Sequence, residues 1–311
     1  QLMATAALFG VHPSHAFTSV ETSPEYADRP RLNVLKKAGV SRVSIGIQSF
    51  QDEELKAIKR RPRQNTIYQA LDDIRQMDFP YFNIDLIYGI KGQTVESFLY
   101  SLEEALRFQP NELFIYPLYV RQGTGITERE PDDVCFRMYR AACKLLQAKG
   151  FLQTSMRRFI HHPSTDAEVS CGDEVMLSCG SGGRSYLGDL HYATRYTVCQ
   201  QCIAREIDEY MATTDFTVAR NGFILSAKEQ QQRFIIKNLM YYMGIDKAEY
   251  TRRFGEPLDR TPLFRQLAEQ YWIEETPERI RLTPEGLSYS DYIGQLFITP
   301  EIRQLMETYS Y

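Results

Sequence analysis

Between residues 16 and 150 short β-rich runs alternate with runs of helical period, and this alternation is what most restricts the fold. Ala16–Glu21 is a β-rich run ended by Ser23-Pro24, and Pro30–Ala38 reads as a helix closed by Gly39. Val40–Gln48 reads as a strand, and Leu55–Arg60 and Thr66–Met77 as helices, the second with Ile67, Ala70, Leu71 and Ile74 on one face. Phe82–Tyr88 is a strand, Val95–Phe108 a helix, Leu113–Val120 a strand and Asp132–Lys149 a helix stopped by Gly150. Strands that each feed a helix build parallel βαβ units, either in a doubly wound sheet or in part of a (β/α) barrel. In both folds chemistry collects at the C-terminal strand ends, which here carry Glu21, Gln48, Asp85 and the Tyr116–Arg121 stretch.

The pattern loosens over residues 151–225, where Cys179–Gly183 forms a glycine cluster whose backbone is able to approach a ligand closely. From Ser226, which with Glu229 makes a capping box, helices reach Tyr242 and then span 246–253 and 261–270. A hairpin with its turn at Thr276-Pro277 and a last helix after Pro284 complete a winged-helix-like module. The expected division is therefore 1–150, 151–225 and 226–311. The would-be reading helix Thr261–Gln270 sets Arg265 against Glu269, too little positive charge for phosphate contact. The whole chain, with 36 Lys+Arg against 40 Asp+Glu, has no basic footprint either, so nucleic-acid binding is not expected. No apolar run of about 18 residues would insert in a membrane. No export signal is read, so the six cysteines point to a reducing, cytoplasmic setting.

Three blocks occur in order: Ser19-Val20-Glu21, Gly39-Val40-Ser41-Arg42-Val43-Ser44-Ile45-Gly46-Ile47-Gln48-Ser49-Phe50, and Asn83-Ile84-Asp85-Leu86-Ile87-Tyr88-Gly89-Ile90-Lys91-Gly92-Gln93-Thr94. Together with Leu282-Thr283-Pro284-Glu285-Gly286 they resemble the radical SAM enzymes of the oxygen-independent coproporphyrinogen III oxidase and heme-chaperone family. Ile115–Arg121, Ser155–Phe159 and Leu190–Tyr192 look closer still to an uncharacterised coproporphyrinogen-oxidase-like branch of it. The resemblance implies an α/β fold, a partial (β/α) radical SAM barrel followed by the winged-helix-like domain. It implies S-adenosylmethionine (SAM) and a [4Fe-4S] cluster as cofactors, an electron-donor protein as partner, and a porphyrinogen-like small-molecule substrate. The alternative it leaves is a non-catalytic heme- or SAM-binding protein such as a heme chaperone.

By the same resemblance Glu21 would hydrogen-bond the SAM ribose or methionyl group, and Gln48 would line that pocket. Arg60, in the helix after its strand, would pair with the SAM carboxylate, and Asp85 would bind the ribose hydroxyls. These pairings match donors to acceptors: a guanidinium for a carboxylate, carboxylates for vicinal hydroxyls. Tyr116, Arg184 and His191 are weaker candidates for substrate contact, Arg184 toward a propionate and His191 toward heme iron. The family holds its cluster with Cys-x-x-x-Cys-x-x-Cys, and neither that motif nor the Gly-Gly-Thr-Pro stretch occurs in these 311 residues. Gln1 falls in the helix before the family's third strand, so the expectation is a chain without two βα units, its cluster ligands upstream, and inactive as a radical enzyme by itself. Among the remaining cysteines, Cys199-Gln200-Gln201-Cys202 with Cys171 and Cys179 is either a four-thiolate metal site or a set of small core residues, and Cys135 and Cys143 read as core. No metal ligand is assigned.

Overall fold

The computed structural model describes residues 2–11, 16–61, 63–121, 123–161, 175–195, 197–219, 221–258 and 262–308. They fall into two compact units, one within Gln1–Arg121, Gly125–Gln153 and Arg157–Glu168, the other within Gln122–Thr124, Thr154–Met156 and Val169–Tyr311.

The first unit opens with α1 (Leu2–Leu8), β1 (Ser19–Thr22), α2 (Arg29–Lys37) and β2 (Arg42–Gln48). It continues through α3 (Asp52–Ala57), α4 (Gln64–Met77), β3 (Tyr81–Tyr88), α5 (Val95–Leu106) and β4 (Glu112–Pro117). It closes with α6 (Asp132–Ala148), β5 (Leu152–Gln153) and β6 (Arg158–Ile160). The strands form one open sheet in the order β1-β2-β3-β4-β6-β5, in which β1 to β4 are parallel and β6 and β5 antiparallel. The expected partial barrel is thus present as a βα array that does not close on itself.

The strands largely alternate, and the alternation decides what the sheet can do. Val43, Ile45 and Ile47 of β2, Ile84, Leu86 and Tyr88 of β3, and Leu113 and Ile115 of β4 are almost fully buried. So are Ile67, Leu71 and Ile74 of α4, Phe98 and Leu102 of α5 and Met138, Ala142 and Leu146 of α6, at i, i+3, i+4 spacings. Removing that much apolar surface from water is the main source of stability here, at about 1.5–3 kcal/mol per large side chain. Most of the alternate residues on these strands and on β1 are polar: Ser19 and Glu21, Arg42, Ser44 and Gln48, Asn83 and Asp85, Glu112 and Tyr116, with Gly46, Ile87 and Phe114 between them. Side chains two apart share one face of a strand, so these groups line the opposite face of the sheet.

Local signals place the helices. Asp28 caps α2 by accepting from the Arg31 N–H at 2.9 Å, and Thr94 with Ser97 makes a capping box on α5. α3 ends earlier than its sequence suggests. Lys59 takes φ +59, the left-handed region, so Arg60 lies outside the helix.

The second unit contains β7 (Val175–Met176), β8 (Arg184–Leu187), β9 (Leu190–Ala193), α7 (Gln200–Ala212) and β10 (Gly222–Ile224). Its four strands form an antiparallel sheet ordered β10-β9-β8-β7. The segment that looked irregular in sequence is therefore a meander of two- to four-residue strands, too short to show a period. The glycine cluster is the β7–β8 turn, with Gly180 at φ +118 and Gly182 at φ +79. Next come α8 (Ala227–Leu239), β11 (Ile245–Asp246), α9 (Lys247–Phe254), α10 (Pro262–Glu269), β12 (Ile273–Glu275) and β13 (Arg279–Leu282). α11 (Pro284–Ser288), α12 (Ser290–Leu296) and α13 (Pro300–Thr308) complete the unit. The three helices from α8 and the small sheet β11-β13-β12 form the expected winged-helix-like arrangement around Phe234, Leu239, Ile245, Phe264, Ile280 and Ile293. The first turn of α11 packs on this sheet through Gly286, where a Cβ would meet the Trp272 carbonyl oxygen at 2.0 Å.

Candidate cofactor site

The polar face of the first sheet holds a connected set of groups. Register puts Glu21 beside Ser44, Ser44 beside Asn83, and Asn83 beside Glu112, while Asp85 sits between Gly46 and Phe114. The Asn83 amide donates to Asp85 Oδ1 at 2.7 Å and to Ser44 Oγ at 2.7 Å, and the Ser44 hydroxyl donates to Asp85 Oδ2 at 3.3 Å. Glu112, 2% exposed, accepts from Arg42 Nε at 2.7 Å and from Arg158 Nη2 at 2.6 Å. Arg42 also donates to Ser19 Oγ at 3.0 Å and lies over the Phe114 ring. Phe114 in turn stacks on Tyr116, with ring centroids 5.8 Å apart.

Electrostatics follow from this packing. Burial pushes the Asp85 carboxyl up to about 6, and the Glu21 carboxylate adds to the rise. The Asn83 and Ser44 donors and the Arg42 charge pull the other way without cancelling it. Tyr116 is held well above the ordinary phenol range by burial and by the Asp85 and Glu21 carboxylates. Two carboxyl groups near a desolvated phenol supply acceptors suited to hydroxyl or ammonium groups.

Gln48 completes the strand end in a strained way. It takes φ +73 at a bulge between β2 and β3, a conformation rare outside glycine. Its side chain folds back over Gly46, where a Cβ would meet Gln48 Nε2 at 2.5 Å. Gly46 is the register partner of Asp85, so the Gln48 amide and the Asp85 carboxyl are carried on adjacent strands at the same level.

The structure therefore brings Glu21, Gln48, Asp85 and Tyr116 onto one face. Arg60 is exposed, and among the described residues its side chain has no hydrogen bond or ion pair. Arg184 and His191 belong to the second unit, where they share a sheet face with each other. The His191 ring stacks on Tyr186 at 4.3 Å and meets Phe223 edge-on at 5.1 Å, with both ring nitrogens buried and without a hydrogen-bond partner among the described residues. Burial and the nearby Arg184 and Arg233 charges lower its basicity. A ring closed in this way offers no nitrogen to heme iron. Sequence reasoning missed Arg42, Ser44, Asn83, Glu112 and Arg158. The signal was available in the predominant apolar–polar alternation of β2 to β4, since parallel strands covered on both faces by helices are apolar throughout.

Two groups implied by the resemblance meet different fates. A nucleoside diol fits the first unit: Asn83 is fully buried with its Oδ1 left without a donor, beside a desolvated carboxyl. An iron–sulfur cluster does not fit these residues. Among the described residues no three Cys, His, Asp or Glu side chains converge as metal ligands, and Cys171 lies outside them. Cys135 is buried, as expected of a core residue, and Cys143 contacts Tyr139 with burial pushing its thiol up to about 11.

Comparison with known proteins agrees with the fold. Residues 2–105 match the radical SAM superfamily and residues 225–289 the HemN C-terminal domain. The chain thus joins a radical SAM domain to a HemN C-terminal domain. Among curated relatives, the heme chaperone HemW of Bacillus subtilis (strain 168) is 26% identical over 86% of this chain and 72% of its own length. The oxygen-independent coproporphyrinogen III oxidase of Thermostichus vulcanus is 25% identical over 86% of this chain and 89% of its own. The solved coproporphyrinogen III oxidase (HemN) from Escherichia coli, a radical SAM enzyme by its description, superposes with a TM-score of 0.77. That match covers 96% of this chain and 73% of the other at 20% identity, and establishes the fold. No helix among the described residues is long and apolar enough to cross a membrane.

Proposed function

We propose that the polar face of the first unit binds S-adenosylmethionine, and that the chain serves oxidative radical chemistry on a porphyrinogen-like substrate, as the name of its coproporphyrinogen oxidase relatives suggests. The observation that carries this reading is the placing of Glu21, Gln48 and the desolvated Asp85 on one face of adjacent strands, beside a buried Asn83 whose carbonyl oxygen has no donor among the described residues. Asp85 and Glu21 accept from the ribose hydroxyls or the ammonium group, Gln48 donates and accepts at the same level, and Arg60 is available to the carboxylate. When bound with an iron–sulfur cluster, SAM supplies a carbon radical. The cluster does not fit the residues present, so no step of that reaction is assigned to them. What they do is hold the nucleoside and keep water from it.

On this reading the first unit binds the cofactor and residues 226–311 form a packing or partner module, while most of 151–225, expected to extend the barrel, groups with the second unit instead. An electron-donor protein is the further partner expected. A heme carrier is the second reading, because HemW relatives bear the name heme chaperone. The closed His191 ring weighs against an axial ligand there.

The test compares SAM with its 2′,3′-dideoxy analogue by saturation-transfer NMR. Strong transfer to the ribose and adenine protons of SAM, lost with the dideoxy analogue, supports diol recognition. Equal transfer to both removes Asp85 from its assigned role.

A further inference from the structure

Cys199 and Cys202 belong to none of the chemistry above, yet they are arranged for chemistry of their own. Cys199 is the N-cap of α7, a 13-residue helix, and Cys202 is the third residue inside it. Residues three apart in the first turn lie on the same side of a helix, with Cβ atoms about 5–6 Å apart. Their Cα atoms, about 5 Å apart by the same helix geometry, fall within the roughly 4.4–6.8 Å that a disulfide spans, and a small rotation of the first turn closes the Cβ gap. The two thiols are in hydrogen-bond contact, and both residues are partly exposed. Thr197, 8% exposed, ties the pair: its hydroxyl accepts from the Cys199 N–H at 3.2 Å and also bonds the Cys202 side chain. Arg205, one turn further on, adds a positive charge near Cys202.

The other described cysteines lack this arrangement. Cys135 is buried between Arg129 and the Glu130 carbonyl, Cys143 contacts Tyr139, and Cys179 is exposed in the β7–β8 turn. A metal reading of the pair fails among the described residues, where no third ligand joins it.

We propose that Cys199 and Cys202 form a dithiol that undergoes thiol–disulfide exchange with low-molecular-weight disulfides. The helix N-terminus favours negative charge on the Cys199 sulfur, and the Cys202 thiol donates to it. The Cys199 thiolate attacks the small disulfide, forming a mixed disulfide and releasing one thiol. Cys202, losing its proton to solvent, then attacks the Cys199 sulfur and expels the second thiol. The protein loses two electrons and two protons, and the small disulfide becomes two thiols. This inference does not depend on SAM binding.

The experiment equilibrates the 311-residue chain across glutathione/glutathione-disulfide ratios, quenches with acid, alkylates with a maleimide and digests. The expected result is loss of two of the six alkylatable thiols in one step, with a linked peptide joining 199 to 202. Cys202→Ser should stop at a Cys199–glutathione mixed disulfide, and Cys199→Ser should leave Cys202 largely reduced. In the reduced chain at pH 7, Cys199 should be alkylated at least fivefold faster than Cys179. The proposal is overturned if no 199–202 linkage forms while Cys179 is glutathionylated. It is equally overturned if Cys199 reacts no faster than Cys179, or if zinc protects both thiols and exchange does not occur.

Discussion

Replacing Asp85 by Asn should make the protein more stable while weakening its cofactor site. Asp85 is raised from an unperturbed 3.8 to about 6 in the folded chain, so its charged form is disfavoured by about 2 units. At about 1.4 kcal/mol per unit, this costs the native state about 2–3 kcal/mol once the group ionises. The direction is fixed by linkage. Between about pH 4 and pH 6 the folded chain holds a proton that the unfolded chain has released, so this group makes stability fall as pH rises through that window. Asn cannot ionise. Its carbonyl oxygen still accepts from Asn83, and its amide donates to Ser44, so the hydrogen bonds are kept. Asp85→Asn should therefore gain about 2–3 kcal/mol over wild type at pH 8 and nothing at pH 3.5. Hydrogen exchange of peptides covering β3, combined with urea unfolding at both pH values, reads this locally. A variant no more stable than wild type at pH 8, or a gain independent of pH, would refute the desolvation argument.

Other substitutions probe the same face and the second unit. Glu112→Gln removes the one carboxylate between Arg42 and Arg158, whose side chains are 15% and 12% exposed, and should cost about 3–5 kcal/mol by urea unfolding. The triple change Arg42→Met, Glu112→Leu, Arg158→Met should recover most of that loss, because the cost lies in stranded charge rather than in a missing attraction. Gly46→Ala places a Cβ 2.5 Å from Gln48 Nε2, so it should displace that amide and weaken SAM binding about tenfold by calorimetry with little change in stability. Gly286→Ala, with its Cβ 2.0 Å from the Trp272 carbonyl, should destabilise the second unit by more than 2 kcal/mol. The fluorescence of Trp272, the sole tryptophan, reports that loss directly.

The βα half of the fold was legible because its elements are long and periodic. β2, β3 and α4 to α6 each run six residues or more, and their observed bounds differ from the sequence reading by only a few residues. The 175–224 meander was not legible, since two- to four-residue strands carry no measurable alternation and their pairing is set by turns. The end of α3 was missed for a related reason: nothing in Lys59 announces a left-handed residue. Glu21, Gln48 and Asp85 stood out through the family blocks, and the sheet does carry them on one face. What the sequence concealed was the support beneath them. The Arg42–Glu112–Arg158 bridge joins residues 70 and 46 positions apart, and no local pattern connects charges at such separations.

The most direct test of the cofactor assignment is a calorimetric titration of SAM into this chain at pH 8, beside the variants Asp85→Asn, Glu21→Gln and Arg184→Ala. The account predicts saturable binding to the wild type, at least tenfold weaker binding for the first two variants, equivalent to about 1.4 kcal/mol, and no change for the third. Saturable binding that is indifferent to Asp85 and Glu21, or no binding to the wild type at all, would contradict it.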